Sequence, residues 1–341
     1  HWHVMLRDGI TGQNRSIRTR ALVNAAGAFV AQVGGSLSPT QAAAPPRLVK
    51  GSHIVVRRLY DHDACYTLQN ADGRVVFVIP YEQDFTLIGT TDQDFTGDPA
   101  HVRISAAEIA YLCQSASTWL RAPVTPSSVV WSYAGVRALY DDGSATPQQA
   151  TRDYVLQCDA PPGDPPLLSV FGGKITTYRR LAESALALLG PYLPPPRGQQ
   201  EGWTGRHRLP GGDFPADEFD RQFDIASTRF PFIPPATLKR LLRAYGTEIH
   251  TMFGDATCST DLGAAFGAGL TEAELRHLIG AEWARTAEDV VWRRSKLGLR
   301  LSAAEIDAIE GAMRRLVAGA SDARQQAEGL RPFEPHQRRS L

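Results

Sequence analysis

The sequence predicts an α/β portion followed by an α-helical one, and three observations carry that expectation. Short apolar runs of strand type recur as far as Phe171. A break rich in proline then interrupts the chain between Pro191 and Trp203, where Pro191, Pro194, Pro195 and Pro196 crowd together. Beyond it, apolar residues return at helical spacing, as in Ile306, Ile309, Met313, Leu316 and Val317, which share one face at that period. At 341 residues the chain exceeds the usual size of one domain, so two or more are expected.

Composition narrows the function classes. With 43% hydrophobic and 21% charged residues the chain can bury a sizeable core. Lys+Arg and Asp+Glu balance at 36 each, so no global field points to nucleic acid, and anion binding must come from a local cluster. Cys65, Cys113, Cys158 and Cys258 are scattered without C-x-x-C spacing, which speaks against a metal site or a disulfide framework and suits a reducing compartment. No run approaches the roughly 18 consecutive apolar residues of a membrane span.

The elements follow in order. Residues 1–33 read as strand, turn, strand and helix, with the run Arg20 to Ala28 ending in small residues that suit close backbone approach. After a break from Gly34 to Pro46, short strands are predicted at His53–Arg57, Ala64–Leu68, Val75–Pro80 and Phe85–Gly89, forming an antiparallel or mixed sheet. Ser105 with Glu108 is a capping box opening a helix of about a dozen residues. Pro126–Trp131, Asp153–Cys158 and Leu167–Phe171 read as further strands. A helix over 175–189 puts Ile175, Tyr178, Leu181, Ala182, Ala185, Leu188 and Leu189 on one face and stops at Gly190-Pro191. In the helical part, Thr271 with Glu274 and Ser302 with Glu305 read as two more capping boxes, and a frayed tail is expected after about 320. Phe253, Phe266, Trp283 and Trp292 read most simply as core.

Chemistry concentrates at strand ends. Gly172-Gly173-Lys174 joins the apolar run 167–171 to the 175–189 helix. Glycines there either admit a ligand to the backbone, beside N–H groups that open a helix and favour an anion, or make an ordinary strand-to-helix turn with an incidental lysine. Arg137 follows the run Trp131 to Val136, and Arg152 precedes the strand at 153–158. Both are either phosphate ligands or surface partners of Asp141, Asp142 or Asp153. His53 opens an apolar strand as a candidate general base or as a hydrogen-bonded structural group. Thr90-Thr91-Asp92 is either a second strand-end cluster or a plain turn. Arg293-Arg294-Ser295-Lys296 is a solvated face, with contact to an acidic membrane as the sharper reading.

Several segments occur together in a telling order: Leu22-Val23-Asn24-Ala25-Ala26-Gly27, Lys50-Gly51-Ser52-His53-Ile54, Val76-Phe77-Val78-Ile79-Pro80, Ile88-Gly89-Thr90-Thr91-Asp92, Trp131 through Arg137, Thr151-Arg152-Asp153-Tyr154, and Leu168 through Arg179. Leu209-Pro210-Gly211-Gly212-Asp213 and Val291 through Leu299 complete the series. From about residue 20 to about residue 318 the chain closely resembles the FAD-dependent, aerobic glycerol-3-phosphate dehydrogenase family.

That resemblance implies a partial Rossmann-like FAD-binding domain (1–33 and 166–190), a mixed-sheet substrate domain (34–165) and a helical C-terminal domain (200–330). It implies oxidation of sn-glycerol 3-phosphate to dihydroxyacetone phosphate by hydride transfer to FAD. Electrons would pass to membrane quinone from an enzyme lying peripherally on the inner face of the cell membrane, as a homodimer. Arg137, Arg152 and Lys174 match substrate-pocket positions, and His53 matches an active-site histidine, with Lys174 the competing base. Gly172, Gly173, Lys174, Ile175 and Thr176 would face the flavin ring, and Ala25, Ala26 and Gly27 the adenosine or pyrophosphate side. The family's Gly-x-Gly-x-x-Gly turn is not among these residues. The chain is therefore expected to be the C-terminal two-thirds of such an enzyme, with apolar faces exposed on 1–33 and 166–190. Two alternatives stand beside this expectation: a catalytically inert substrate-and-cap fragment, and a glycerol-3-phosphate oxidase using oxygen.

Overall fold

The computed structural model describes residues 1–9, 11–37, 46–141, 143, 151, 153–195 and 202–329. The chain divides into two compact units, 1–206 and 207–341. The class is the predicted one, α/β plus α.

The first unit opens with a hairpin of β1 (Trp2–Arg7) and β2 (Asn14–Thr19), then β3 (Leu22–Asn24) and, through a 3₁₀ turn at Gly27–Phe29, α1 (Val30–Leu37). A six-stranded antiparallel sheet follows, built from β4 (Arg47–Arg57), β5 (Tyr66–Gln69), β6 (Val75–Tyr81), β7 (Phe85–Gly89), β8 (Gln93–Asp94) and β9 (Val129–Leu139). Between β8 and β9 lies α2 (Ala106–Trp119), opened by the predicted capping box with both reciprocal bonds made. One face of the sheet packs on α2 through Ile54, Val56, Leu68, Val76, Val78, Ile88, Leu112, Cys113 and Ala116. The period-2 alternation of strands delivers these residues to a single side.

β9 is longer than the sequence suggested. It pairs with nearly all of β4 and runs through Arg137 to Leu139, so Arg137 is a strand residue rather than a loop residue beyond it. A three-stranded sheet completes the unit: β10 (Val155–Asp159) lies antiparallel to β11 (Leu167–Phe171), and β11 lies parallel to β3. After β11 a 3₁₀ turn at Ile175–Thr177 precedes α3 (Tyr178–Leu189). Of the apolar face predicted for this helix, Ile175, Tyr178 and Leu188 are exposed and Leu189 is buried; Leu186, off that face, is exposed too, as are Met5, Leu6, Val23 and Phe29.

The second unit packs α4 (Phe219–Arg229), α5 (Pro235–Tyr245), α6 (Ile249–Phe253), α7 (Glu272–Ala281) and α8 (Ala303–Gly329) around one apolar cluster that includes Phe253 and Phe266. Three expectations change here. Thr271 does not cap α7 with its side chain, because Glu274 turns inward to a bidentate ion pair with Arg240 and a 2.7 Å bond from Tyr245 Oη. Trp283 is 74% exposed rather than core. The chain after 320 continues α8 to Gly329 rather than fraying. Ser302 and Glu305 do form their capping box. In the basic segment, Arg293 pairs with Glu288 and Asp289, while Arg294 donates to the Glu282 carbonyl.

Candidate active site

Two parallel strands end side by side. β3 leads into Ala25, Ala26 and Gly27, and β11 into Gly172, Gly173 and Lys174, with a helical segment following each. The crevice beyond the carboxyl ends of parallel strands is where open α/β sheets bind ligands. Asn24, buried at the end of β3, shapes the first turn: its Nδ2 donates to Val30 O at 2.8 Å, and its Oδ1 accepts from Ala26 N–H. In the second turn Gly172 and Gly173 sit at φ +68° and +98°, a region open to glycine without strain.

A cavity of about 450 Å³ opens between these turns and β9, lined by Gly27, Ala28, Val136 to Leu139, and Gly172 to Ile175. It brings together Gly27, Arg137, Gly172, Gly173, Lys174 and Ile175 of the residues singled out from sequence. Ala25, Ala26 and Thr176 stand beside it in the same turns without lining it. Arg152 lies outside the described residues. Arg137 pairs with Asp92; of the surface aspartates weighed in the sequence, Asp142 lies outside the described residues.

His53 does not line this cavity; it lies on the sheet face that carries Arg137, four positions along β4 from Val49, the residue paired with Arg137. It stacks on Tyr133 with ring centroids 4.9 Å apart and planes 6° from parallel. On its other side is Gly89, directly across the ladder, where a Cβ would fall 2.1 Å from the imidazole Cδ2. Two residues back along β4, Gly51 leaves the space that the Thr90 hydroxyl and the Arg137 guanidinium approach. Burial, then the Arg137 charge, hold His53 far below the ordinary imidazole range, at about 4, against the opposing pull of Asp92. Its Nδ1 is buried and has no hydrogen-bond partner among the described residues, and the same holds for Thr90 Oγ1.

Sequence reasoning missed Asn24, Tyr133 and the partnership of Asp92 with Arg137. An asparagine after two apolar residues and an aromatic two positions before a strand glycine carry no local signature. Their roles come from ladder register.

The turns fit the ring edge of a flavin. Two successive glycines approach a cavity at the end of a buried strand, Lys174 stands beside them, and a Cβ added at Gly27 would meet nothing within 4 Å. A crevice beyond the carboxyl ends of parallel strands, opened by glycine turns, belongs to the class of α/β folds that take nucleotide ligands at that place. Residues 2–179 match the family model of the FAD dependent oxidoreductases, and the chain belongs to that family. Residues 203–323 match the C-terminal domain of alpha-glycerophosphate oxidase.

Among individual proteins, the chain is 43% identical over 302 residues to the aerobic glycerol-3-phosphate dehydrogenase of Escherichia coli (strain K12), covering 89% of this chain and 60% of that protein. It is 44% identical to the glycerol-3-phosphate dehydrogenase of Pseudomonas aeruginosa, over 88% of this chain and 58% of the relative. It is 38% identical to the D-erythritol 1-phosphate dehydrogenase of Brucella abortus, over 89% of this chain and 60% of the relative. The chain thus spans about 60% of the length of these relatives. In fold it is similar to the glycerol-3-phosphate dehydrogenase from Bacillus halodurans complexed with FAD, at a TM-score of 0.70 and 24% identity, over 93% of this chain and 61% of that one.

Proposed function

We propose that this chain carries the substrate-facing part of an enzyme that oxidises sn-glycerol 3-phosphate to dihydroxyacetone phosphate. The observation that carries the reading is the cavity in which Arg137 and Lys174 join two glycine turns at the ends of parallel strands. Similarity to two glycerol-3-phosphate dehydrogenases supports the substrate. In this reading 1–33 and 166–190 are the FAD-facing pieces, 34–165 the substrate-facing sheet and 200–330 the helical domain.

When bound, FAD supplies the acceptor for the hydride released from C2. The rest is done by side chains of this chain. Arg137 and Lys174 hold the phosphate dianion through charge-assisted bonds worth on the order of 1.5–3 kcal/mol each. Arg152 is assigned to the same pocket on resemblance. His53 is neutral at pH 7 because its pKa is depressed to about 4. With Nδ1 sequestered, Nε2 takes the proton of the C2 hydroxyl. Lys174 is the competing base. Gly172 and Gly173 bring bare backbone to the cavity wall, in a positive-φ turn where a Cβ would press on Asp153 O at 3.1 Å and on Leu181 and Tyr154 at 3.3 Å. Transfer of electrons to membrane quinone, peripheral attachment to the inner face of the membrane and homodimer formation follow from resemblance. No helix among the described residues is long and apolar enough to cross a membrane, and the exposed Trp283 is a feature suited to lipid contact.

The test is an absorbance spectrum of the purified chain after loading with FAD and gel filtration, followed by addition of sn-glycerol 3-phosphate. The expected result is a retained flavin band that bleaches with wild type and fails to bleach at the same substrate concentration with Arg137→Ala, whose affinity drops on the order of 10–100-fold. A retained band that glycerol 3-phosphate leaves unbleached, while D-erythritol 1-phosphate bleaches it, moves the substrate to the larger polyol phosphate. No retained flavin means that these residues form only the substrate and cap portion. The match of 203–323 to an oxidase domain favours a second reading with oxygen as acceptor, which oxygen uptake against reduction of a soluble quinone separates.

A further inference from the structure

The carboxylate of Glu108 has more partners than a helix cap requires. A capping-box glutamate needs only to accept from the N-cap N–H, which does not call for burial. Glu108 is 3% exposed. Its Oε2 accepts from Ser105 N–H and Oγ, each at 2.8 Å, and lies 2.7 Å from Lys50 Nζ. Its Oε1 accepts from Ser52 Oγ at 2.8 Å and Thr91 Oγ1 at 3.1 Å. Burying a carboxylate is unfavourable unless its lone pairs are used. These bonds use them, and in doing so they tie α2 to β4 and to the segment between β7 and β8.

That segment is irregular. From Gly89, opposite His53, to Gln93, opposite Lys50, the chain takes four steps while β4 takes three. One extra residue of this kind is the mark of a bulge, a device that re-aims side chains beside active sites. Asp92 sits within it at φ +42°, a conformation that persists in a non-glycine residue only where its surroundings over-determine it. Thr91 is fully buried: its Oγ1 accepts from Ser52 N–H at 3.2 Å and donates to Glu108. Lys50, Ser52 and Thr91 therefore face Glu108, while Gly51, Thr90 and Asp92 face Arg137.

We propose that Glu108 is a positioning residue for the anion site: by clamping Thr91 against Ser52 it fixes the bulge at 90–92, so that Asp92 holds the Arg137 guanidinium at the cavity in one orientation. The inference rests on reading the cavity as an anion site, and its test separates the two. The direct readout is the Arg137 Nε–H resonance in a ¹⁵N spectrum of the chain, assigned by its loss in Arg137→Ala. In Thr91→Val and Glu108→Gln the resonance moves to the position it takes in Asp92→Asn, and in Thr91→Ser, which restores the hydroxyl, it returns to the wild-type position. Calorimetry with sn-glycerol 3-phosphate then shows affinity reduced up to about tenfold in Thr91→Val, the equivalent of one lost buried hydrogen bond, and restored in Thr91→Ser. An unmoved Arg137 resonance in folded Thr91→Val overturns the proposal whatever the ligand does. Equal affinity of wild type and Arg137→Ala for glycerol 3-phosphate sinks the anion-site reading instead, and the resonance still decides the role of Glu108. Should Glu108→Gln not fold, Thr91→Val, which removes a single hydroxyl, carries the test.

Discussion

Along β4, Ser52, Ile54 and Val56 turn toward α2, while Gly51 and His53 turn toward the cavity side, and the two sets meet opposite requirements. On the α2 side Ile54, Val76, Val78 and Ile88 have no exposed surface, and their neighbours are other apolar groups. On the other side three positions are glycine (Gly51, Gly89 and Gly135); Gly51 leaves the space that a hydroxyl and a guanidinium approach, Gly89 the space of an imidazole, and nothing stands within 4 Å of a Cβ at Gly135. One set of strands thus keeps apolar packing on one surface and the polar groups of the candidate site on the other. What crosses between them is the polar knot at Glu108, the point where the helix side can influence the site side.

The largest expected effect lies on the packed face. Ile88→Ala opens a cavity where no residue can collapse freely and destabilises the chain by roughly 2–5 kcal/mol, read as a lowered urea midpoint. Affinity for glycerol 3-phosphate, measured well below that midpoint, stays near wild type if the two faces are independent. A large loss of affinity in folded Ile88→Ala breaks the comparison. A smaller effect comes from the glycine face. Gly89→Ala places a Cβ 2.1 Å from His53 Cδ2 and 2.6 Å from Cγ, so the ring must leave its place against Tyr133. Overpacking of this kind destabilises by roughly 1–3 kcal/mol. Unlike Ile88→Ala, it is expected to disturb the His53 ring resonances first. Unchanged His53 shifts in Gly89→Ala would show that the ring has room the geometry denies it.

The packed face was far more legible in the sequence than the site. Apolar alternation through Val76, Val78 and Ile88, and the capping box at Ser105, identify strands and helix from local pattern alone, because burial on one side imposes a period. The glycine-lysine junction at 172–174 was visible as a turn, but a glycine pair serves an ordinary strand-to-helix junction as readily as an anion site, so its position beside Arg137 had to come from the fold. Arg137 was found as a residue but misplaced as a loop position, because β9 continues past the point where its apolar run ends. Its partner Asp92, the stacking of Tyr133 on His53 and the second duty of Glu108 all depend on which strands are neighbours and in what register. Glu274 makes the same point in the helical unit. It stands at capping-box spacing yet answers to Arg240 and Tyr245, 34 and 29 residues away in sequence.

The finest test of the two-sided sheet is the titration of His53 followed by its ring proton shifts. Wild type titrates near 4 instead of the ordinary 6.5, chiefly through burial and next through the Arg137 charge, with Asp92 pulling the other way. Removing the cation in Arg137→Ala therefore raises the midpoint, yet leaves it below 6.5, since burial is the larger cause. Removing the anion in Asp92→Asn lowers it further. The sign carries over to stability. Between pH 6.5 and 4 the unfolded chain binds a proton that folded His53 refuses, so stability falls as pH drops through that window and the loss is complete below about 4. His53→Gln flattens that part of the pH profile. If Arg137→Ala left the midpoint unmoved, the guanidinium would not share a field with the imidazole, and the cavity side would hold two separate groups in place of one site.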